Sequence, residues 1–147
     1  MITIRRAGKP DIDAMTSLLQ ELFSIETDFV IDAGKQKAGL MLLLADTDKR
    51  MVFVAADDLE LAGMVTAQLV VSTAAGGHAA LLEDMVVREK LRGRGIGAAL
   101  FEAVQAWAAG KNAKRLQLLA DERNKPALAF YKKLGFTGSR MRGFYLA

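Results

Sequence analysis

Residues Glu83 to Gly97 read EDMVVREKLRGRGIG, and the organisation of the whole chain can be worked out from them. The apolar run into Val87 predicts a strand that ends there. A loop with Arg88, Lys90, Arg92 and Arg94 follows, and Gly93, Gly95 and Gly97 then lead into a helical pattern. Glycine lets backbone approach a ligand with no Cβ in the way. The first amides of a helix lack intrahelical partners, and with the helix dipole they form a site for phosphate. Arg92 and Arg94 would add full charges at its rim. A strand, a glycine loop and a helix in this order therefore predict a diphosphate cradle at the start of a helix spanning Gly95–Ala109. The plainer alternative is a tight turn with its arginines in solvent.

Two other phosphate-binding patterns compete for this loop. The string G-x-x-x-x-G-K-[ST] does not occur. The dinucleotide fingerprint is matched literally by Gly93, Gly95 and Ala98, with Asp121 as a candidate ribose acid. It fails on topology, because about fifty residues follow the glycines, too few for a dinucleotide fold. The preceding segments also do not read as βαβ units.

Further out, periodicity predicts strands at Ile2–Ala7, Met51–Ala56, Leu61–Val71, Ala79–Val87, Arg115–Ala120 and Phe144–Leu146. It predicts helices at Asp11–Leu22, Gln36–Leu44, Gly95–Ala109 and Lys125–Leu134, with Gly110 as a left-handed residue after the third. Asp57-Asp58 reads as a turn and Ser72–Gly77 as a loop, while Gly63 weakens its strand. Three successive strands predict an antiparallel meander, and later strands alternating with helices predict a parallel pair. The expectation is an α/β chain with a mixed, largely antiparallel sheet flanked by helices, forming a single domain over residues 1–147.

Composition excludes several chemistries. With 52% hydrophobic and 25% charged residues, 147 residues suffice for a core without staples. There is no cysteine and His78 is the only histidine, so disulfides, thiol nucleophiles and Cys- or His-cluster metal sites are not expected. No apolar run approaches the ~20 residues that span a bilayer. The first residues, MITIRRAGKP, lack the apolar region of a signal peptide, so a cytoplasmic address is expected. Charge is uneven. Residues 1–87 hold 7 Lys and Arg against 13 Asp and Glu, a net of −6, whereas residues 88–147 hold 13 against 4, a net of +9. The basic half suits an anionic ligand and the acidic half a cationic one. Nucleic acid is disfavoured, because the basic residues are not interleaved with aromatics and no helix-turn-helix is apparent.

Arg92-Gly93-Arg94-Gly95-Ile96-Gly97 resembles the [QR]-x-x-G-x-[GA] motif of the GCN5-related N-acetyltransferases. A second motif of that family, N-x-x-A-x-x-F-Y-x-x-x-G-F, is matched by Asn124, Ala127, Phe130, Tyr131, Gly135 and Phe136. One helix and one strand separate the two, as in the family, and together they cover residues 83–136. The resemblance implies acetyl-CoA as cosubstrate, with no metal, bound where two parallel strands splay apart. A bulge near Met85, Val86 and Val87 would free backbone for the pantetheine amides. Arg92, Gly93, Arg94, Gly95, Ile96, Gly97 and Ala98 would hold the diphosphate.

By the same resemblance Asn124 would bind the pantetheine arm, although an N-cap of the Lys125–Leu134 helix is an equally physical role. Tyr131 would be the general acid, and Phe130 and Phe136 read as core. For the base, Glu83 and Asp84 are adjacent on a strand and so point to opposite faces. Glu83, sharing a face with Met85 and Val87, is chosen, and Asp84 comes next. The string LEDMVV also resembles the matching strand of the family's diamine and polyamine acetyltransferases. Some members carry a Glu five residues before the Asn, where this chain has Leu119. The implied activity is acetyl transfer to a primary amine by direct attack in a ternary complex, with a small amine or polyamine favoured. Phe23, Asp28 and Phe29 fall where the family's acceptor pocket is lined, and homodimers are common in the family. The alternatives are a non-catalytic CoA-binding module of the same fold and a protein N-terminal or lysine acetyltransferase.

Overall fold

The structure is a computed structural model that describes residues 1–26 and 28–147. Two compact units are present, residues 1–117 and residues 118–147. The first holds a five-stranded sheet in the order β1 (Thr3–Arg6), β2 (Arg50–Ala56), β3 (Leu61–Ser72), β4 (Gly77–Val87) and β5 (Arg115–Gln117). The first three pairings are antiparallel and β4–β5 is parallel, as the meander followed by a β-α-β step predicts. Helices α1 (Ile12–Phe23) and α2 (Ala33–Ala45) intervene between β1 and β2, and α3 (Ile96–Gly110) connects β4 to β5.

Strand alternation decides which helix covers which face. Val52 and Val54 of β2, Met64 of β3 and Val86 of β4 join Met15, Leu18 and Leu19 of α1 and Leu40 of α2 in one core cluster. The apolar spacing of α1 delivers these residues to one side of the helix. The opposite face meets α3, since a Cβ on Gly63 would lie 3.3 Å from Leu100 Cδ1. From α3, Leu100, Phe101, Val104 and Trp107 are buried.

Several local signals act as their chemistry requires. Asp32 caps α2 by accepting from the Lys35 amide at 3.1 Å. The Asp57 carboxylate accepts from the amides of Leu59 and Glu60, both at 2.8 Å, and closes the β2–β3 turn.

Several expectations need correction. Gly110 is the last residue of α3, and the left-handed position after it belongs to Asn112, φ 57°. Asparagine tolerates that region better than most residues with a side chain. The strand predicted over Arg115–Ala120 stops at Gln117. Residues 144–146 form no strand, and Phe144 and Leu146 are exposed. Their apolar character mimicked a strand, but so short a run with exposed side chains buries no face that would hold it in a sheet. Finally, Glu83 does not share a face with Met85 and Val87. Met64 pairs with Val86 and Thr66 with Glu83, so β4 carries one extra residue between those pairs. That bulge inverts the alternation, placing Glu83 on the face of Val86, toward α1 and α2.

The second unit contains α4 (Lys125–Lys133). Asn124 caps it by accepting from the Ala127 amide at 3.2 Å, and Pro126 sits in its first turn. Gly135, φ 101°, follows its end in the left-handed region. No residue of α4 is fully buried, and Phe130 and Phe136 are half-buried rather than core.

Candidate functional site

The bulge on β4 brings two carboxylates together. Asp84 adopts φ 51°, a left-handed conformation that Asp tolerates better than most residues. The adjacent Glu83 and Asp84 thereby line the same cleft rather than opposite faces. The cleft holds about 310 Å³ and is completed by Gly39, Leu42 and Leu43 of α2, Arg50 of β2, and Thr66 and Gln68 of β3. Glu83 is exposed and Asp84 half-buried. Burial pushes the Asp84 carboxyl up to about 6, and the negative Glu83 pushes the same way. Thr66 Oγ1 donates to Asp84 Oδ2 at 3.2 Å and opposes both effects.

β4 runs from this cleft to the glycine loop over four residues, about 13 Å at 3.3 Å per residue. Its pairing with β5 ends at Leu81–Gln117. From Leu82 to Val87 the far edge of β4 thus has no strand beside it among the described residues, and the bulge lies within this stretch. Met85, Val86 and Val87 are placed along that edge, and the Val86 side chain is buried in the core. An open edge of this kind can take an extended ligand as though it were another strand.

The glycine loop has the geometry of an anion cradle. Gly93 and Gly95 have φ 74° and 80°, and a Cβ at either would project into open space. Gly95 is the N-cap of the fifteen-residue α3. The amides of Ile96, Gly97 and Ala98 follow in its first turn, where no intrahelical carbonyl reaches them. Ile96 buries its side chain and so fixes the start of the helix.

The arginines are less free than the sequence suggests. Arg92 Nε donates to the Val87 carbonyl at 3.0 Å, and its Nη2 lies 3.7 Å from Glu21 Oε1. Arg94 donates weakly to the Lys90 carbonyl at 3.5 Å. Glu21 also accepts from the Glu89 amide at 2.8 Å and pairs with Arg88 at 3.4 Å, while Glu60 pairs with Lys90 at 2.7 Å. A second cleft of about 330 Å³ is lined by Glu21, Arg88, Glu89 and Lys90. Glu21 thus organises the loop between β4 and α3. Its partners lie more than sixty residues away in sequence, so no local pattern could reveal it.

Asn124 and Tyr131 belong to the second unit. The Asn124 cap engages Oδ1, and its NH₂ is a separate donor group. The Tyr131 ring stands edge-on to Phe130 and Phe136, with centroids 5.3 and 5.8 Å apart. Leu119 is exposed, and Asp121 is tied to Arg123 at 3.1 Å. In the first unit, Phe23 packs on Phe29 at 5.4 Å, and Asp28 is exposed.

Among the described residues no group of three or more His, Cys, Asp or Glu could hold a metal ion. No helix among them is long and apolar enough to cross a membrane.

Comparison with known proteins gives a consistent picture. The model of the acetyltransferase (GNAT) family matches residues 13–136. A transcriptional regulator from Bacillus halodurans C-125 is 22% identical, with TM-score 0.86, covering 100% of this chain and 99% of that one. The structure of AAC(6')-Iy in complex with the bisubstrate analog CoA-S-monomethyl-acetylneamine is 21% identical, with TM-score 0.85, covering 100% and 98%. Glucosamine-6-phosphate N-acetyltransferase from Arabidopsis thaliana is 18% identical, with TM-score 0.80, covering 99% and 98%. At these identities the three structures share the fold, a mixed open sheet containing one parallel pair.

Proposed function

This chain belongs to the acetyltransferase (GNAT) family, and from that premise we propose that it moves the acetyl group of acetyl-CoA to a primary amine of a small molecule. The observation that carries the proposal is the left-handed Gly93–Gly95 turn opening onto the first amides of α3, next to an unpaired, bulged β4 edge. The first feature suits a diphosphate and the second a chain of amides. Acetyl-CoA supplies the acetyl group as a thioester.

Gly93, Arg94, Gly95, Ile96, Gly97 and Ala98 would hold the diphosphate through their backbone, with Arg92 and Arg94 contributing charge. Met85, Val86 and Val87 would hold the pantetheine arm, assisted by Asn124 through its NH₂. A backbone N–H of that edge would polarise the thioester carbonyl.

An alkyl ammonium has a pKa near ~10.4 and must lose a proton before it attacks. The Glu83–Asp84 pair would accept it, directly or through water. The amine nitrogen then bonds to the acetyl carbon as the carbon–sulfur bond breaks, the sulfur takes the Tyr131 proton, and the proton shed by the new amide nitrogen returns to Tyr131 through water. The products are an N-acetyl amide and free CoA. Residues 1–147 would act as a single acetyltransferase domain.

The test is thiol release from acetyl-CoA on addition of primary amines. Amine-dependent release is expected. Tyr131→Phe is expected to lower kcat by about 10²-fold or more while the acetyl-CoA-induced rise in Tm persists. A rise in Tm without thiol release for any amine would mark the chain as a carrier-binding module, and no rise would overturn the proposal.

A further inference from the structure

The cleft beside Asp84 holds unsatisfied charge of both signs. Arg50 and Gln68 are register partners, as are Thr66 and Glu83. Directly opposed residues of antiparallel strands share a face, and so do residues two apart. Arg50, Gln68, Thr66 and Glu83 therefore run diagonally across one face of β2, β3 and β4, beneath Gly39, Leu42 and Leu43 of α2. Arg50 lies two strands from Glu83, about 10 Å at 4.8 Å per strand before the diagonal offset is added. Among the described residues no carboxylate pairs with Arg50, and no cation pairs with Glu83 or Asp84. Arg50 is nevertheless held in place, since its Nη1 donates to the Leu42 carbonyl at 3.1 Å, which leaves further guanidinium donors for a ligand.

We propose that the acceptor is a small amine bearing an anionic group at its other end, its ammonium toward Glu83 and Asp84 and its anion toward Arg50. This assignment rests on the acetyl-transfer reading and sharpens it. Thr66 and Gln68 offer hydrogen bonds along the middle, and Leu42 and Leu43 supply an apolar wall for intervening methylenes. A volume of about 310 Å³ is at the small end of ligand sites, which sets a limit on acceptor size. The distal ammonium of a diamine or polyamine would meet Arg50 and be repelled, so the acidic balance of residues 1–87 does not make a polycation the preferred acceptor.

The experiment compares butylamine, 1,4-diaminobutane, 4-aminobutanoate, 6-aminohexanoate and 3-aminopropyl phosphate as acceptors at saturating acetyl-CoA, alongside calorimetric titration of each into the protein. The anionic acceptors are expected to exceed butylamine and the diamine in kcat/KM by at least about tenfold. The two aminocarboxylates and the phosphate separate the two anion types. Arg50→Ala is expected to collapse the preference for anionic over neutral acceptors, chiefly through KM, and Arg50→Lys to restore part of it. This ratio does not depend on how much protein folds. Equal turnover of all amines, or preference for the diamine, overturns the acceptor assignment and leaves acetyl transfer standing. Arg50-dependent binding of an aminocarboxylate without turnover supports the assignment and sinks the transfer reaction. Neither binding nor turnover overturns both.

Discussion

In the proposed reaction Asp84 is the carboxylate whose surroundings best suit it to accept a proton. A carboxyl that titrates near 6 is a better proton acceptor at neutral pH than one at the ordinary value, and it is still mostly ionised there. As pH falls through about 6, kcat/KM for amine acceptors is expected to fall with it, and Asp84→Asn is expected to lower the rate and remove that limb. Asparagine keeps the left-handed backbone, so the substitution tests charge rather than conformation.

The same shift makes a stability prediction. The folded protein retains the Asp84 proton between about pH 4 and 6, where the unfolded chain has released it, so stability falls as pH rises through that window. Above it, Asp84→Asn is expected to be the more stable protein, by up to about 3 kcal/mol, as the difference in Tm at pH 5 and pH 8 would reveal. The sequence exposed both carboxylates but ranked Glu83 first from strand alternation, a rule that one extra residue in the strand inverts.

Among the elements, β4 and α3 carry most of the argument. Beside the bulge the two strands approach closely, since a Cβ at Gly63 would lie 2.7 Å from the Val86 carbonyl. Gly63, which read as a weak point in its strand, is what lets β4 approach there. The turn into α3 was legible directly, since glycines that adopt φ 74° and 80° stand in the sequence as glycines. The ties on Arg92 and Glu21 were not legible, because they depend on how α1 meets the β4–α3 loop. Gly95→Glu is expected to abolish the acetyl-CoA-dependent rise in Tm, by strain at a positive φ and by placing a carboxylate at the proposed diphosphate site. An undiminished rise would move the phosphate site elsewhere.

Across the whole molecule, hydrophobic periodicity and apolar runs recovered the order of nine elements. They failed where burial is slight: β5 is three residues long, residues 144–146 are exposed, and α4 buries nothing fully. Charge patterning placed the basic balance after residue 87, where the left-handed Gly93 and Gly95 and the proposed diphosphate site also fall. It missed Arg50, one of seven cations within the acidic part of the chain, whose meaning comes only from its register with Gln68. The measurement that bears most directly on the whole account is a crystal structure of the protein with acetyl-CoA bound. The diphosphate is expected within hydrogen-bonding distance of the backbone amides of residues 93–98, with the pantetheine along residues 82–87. A diphosphate bound anywhere else would contradict the account.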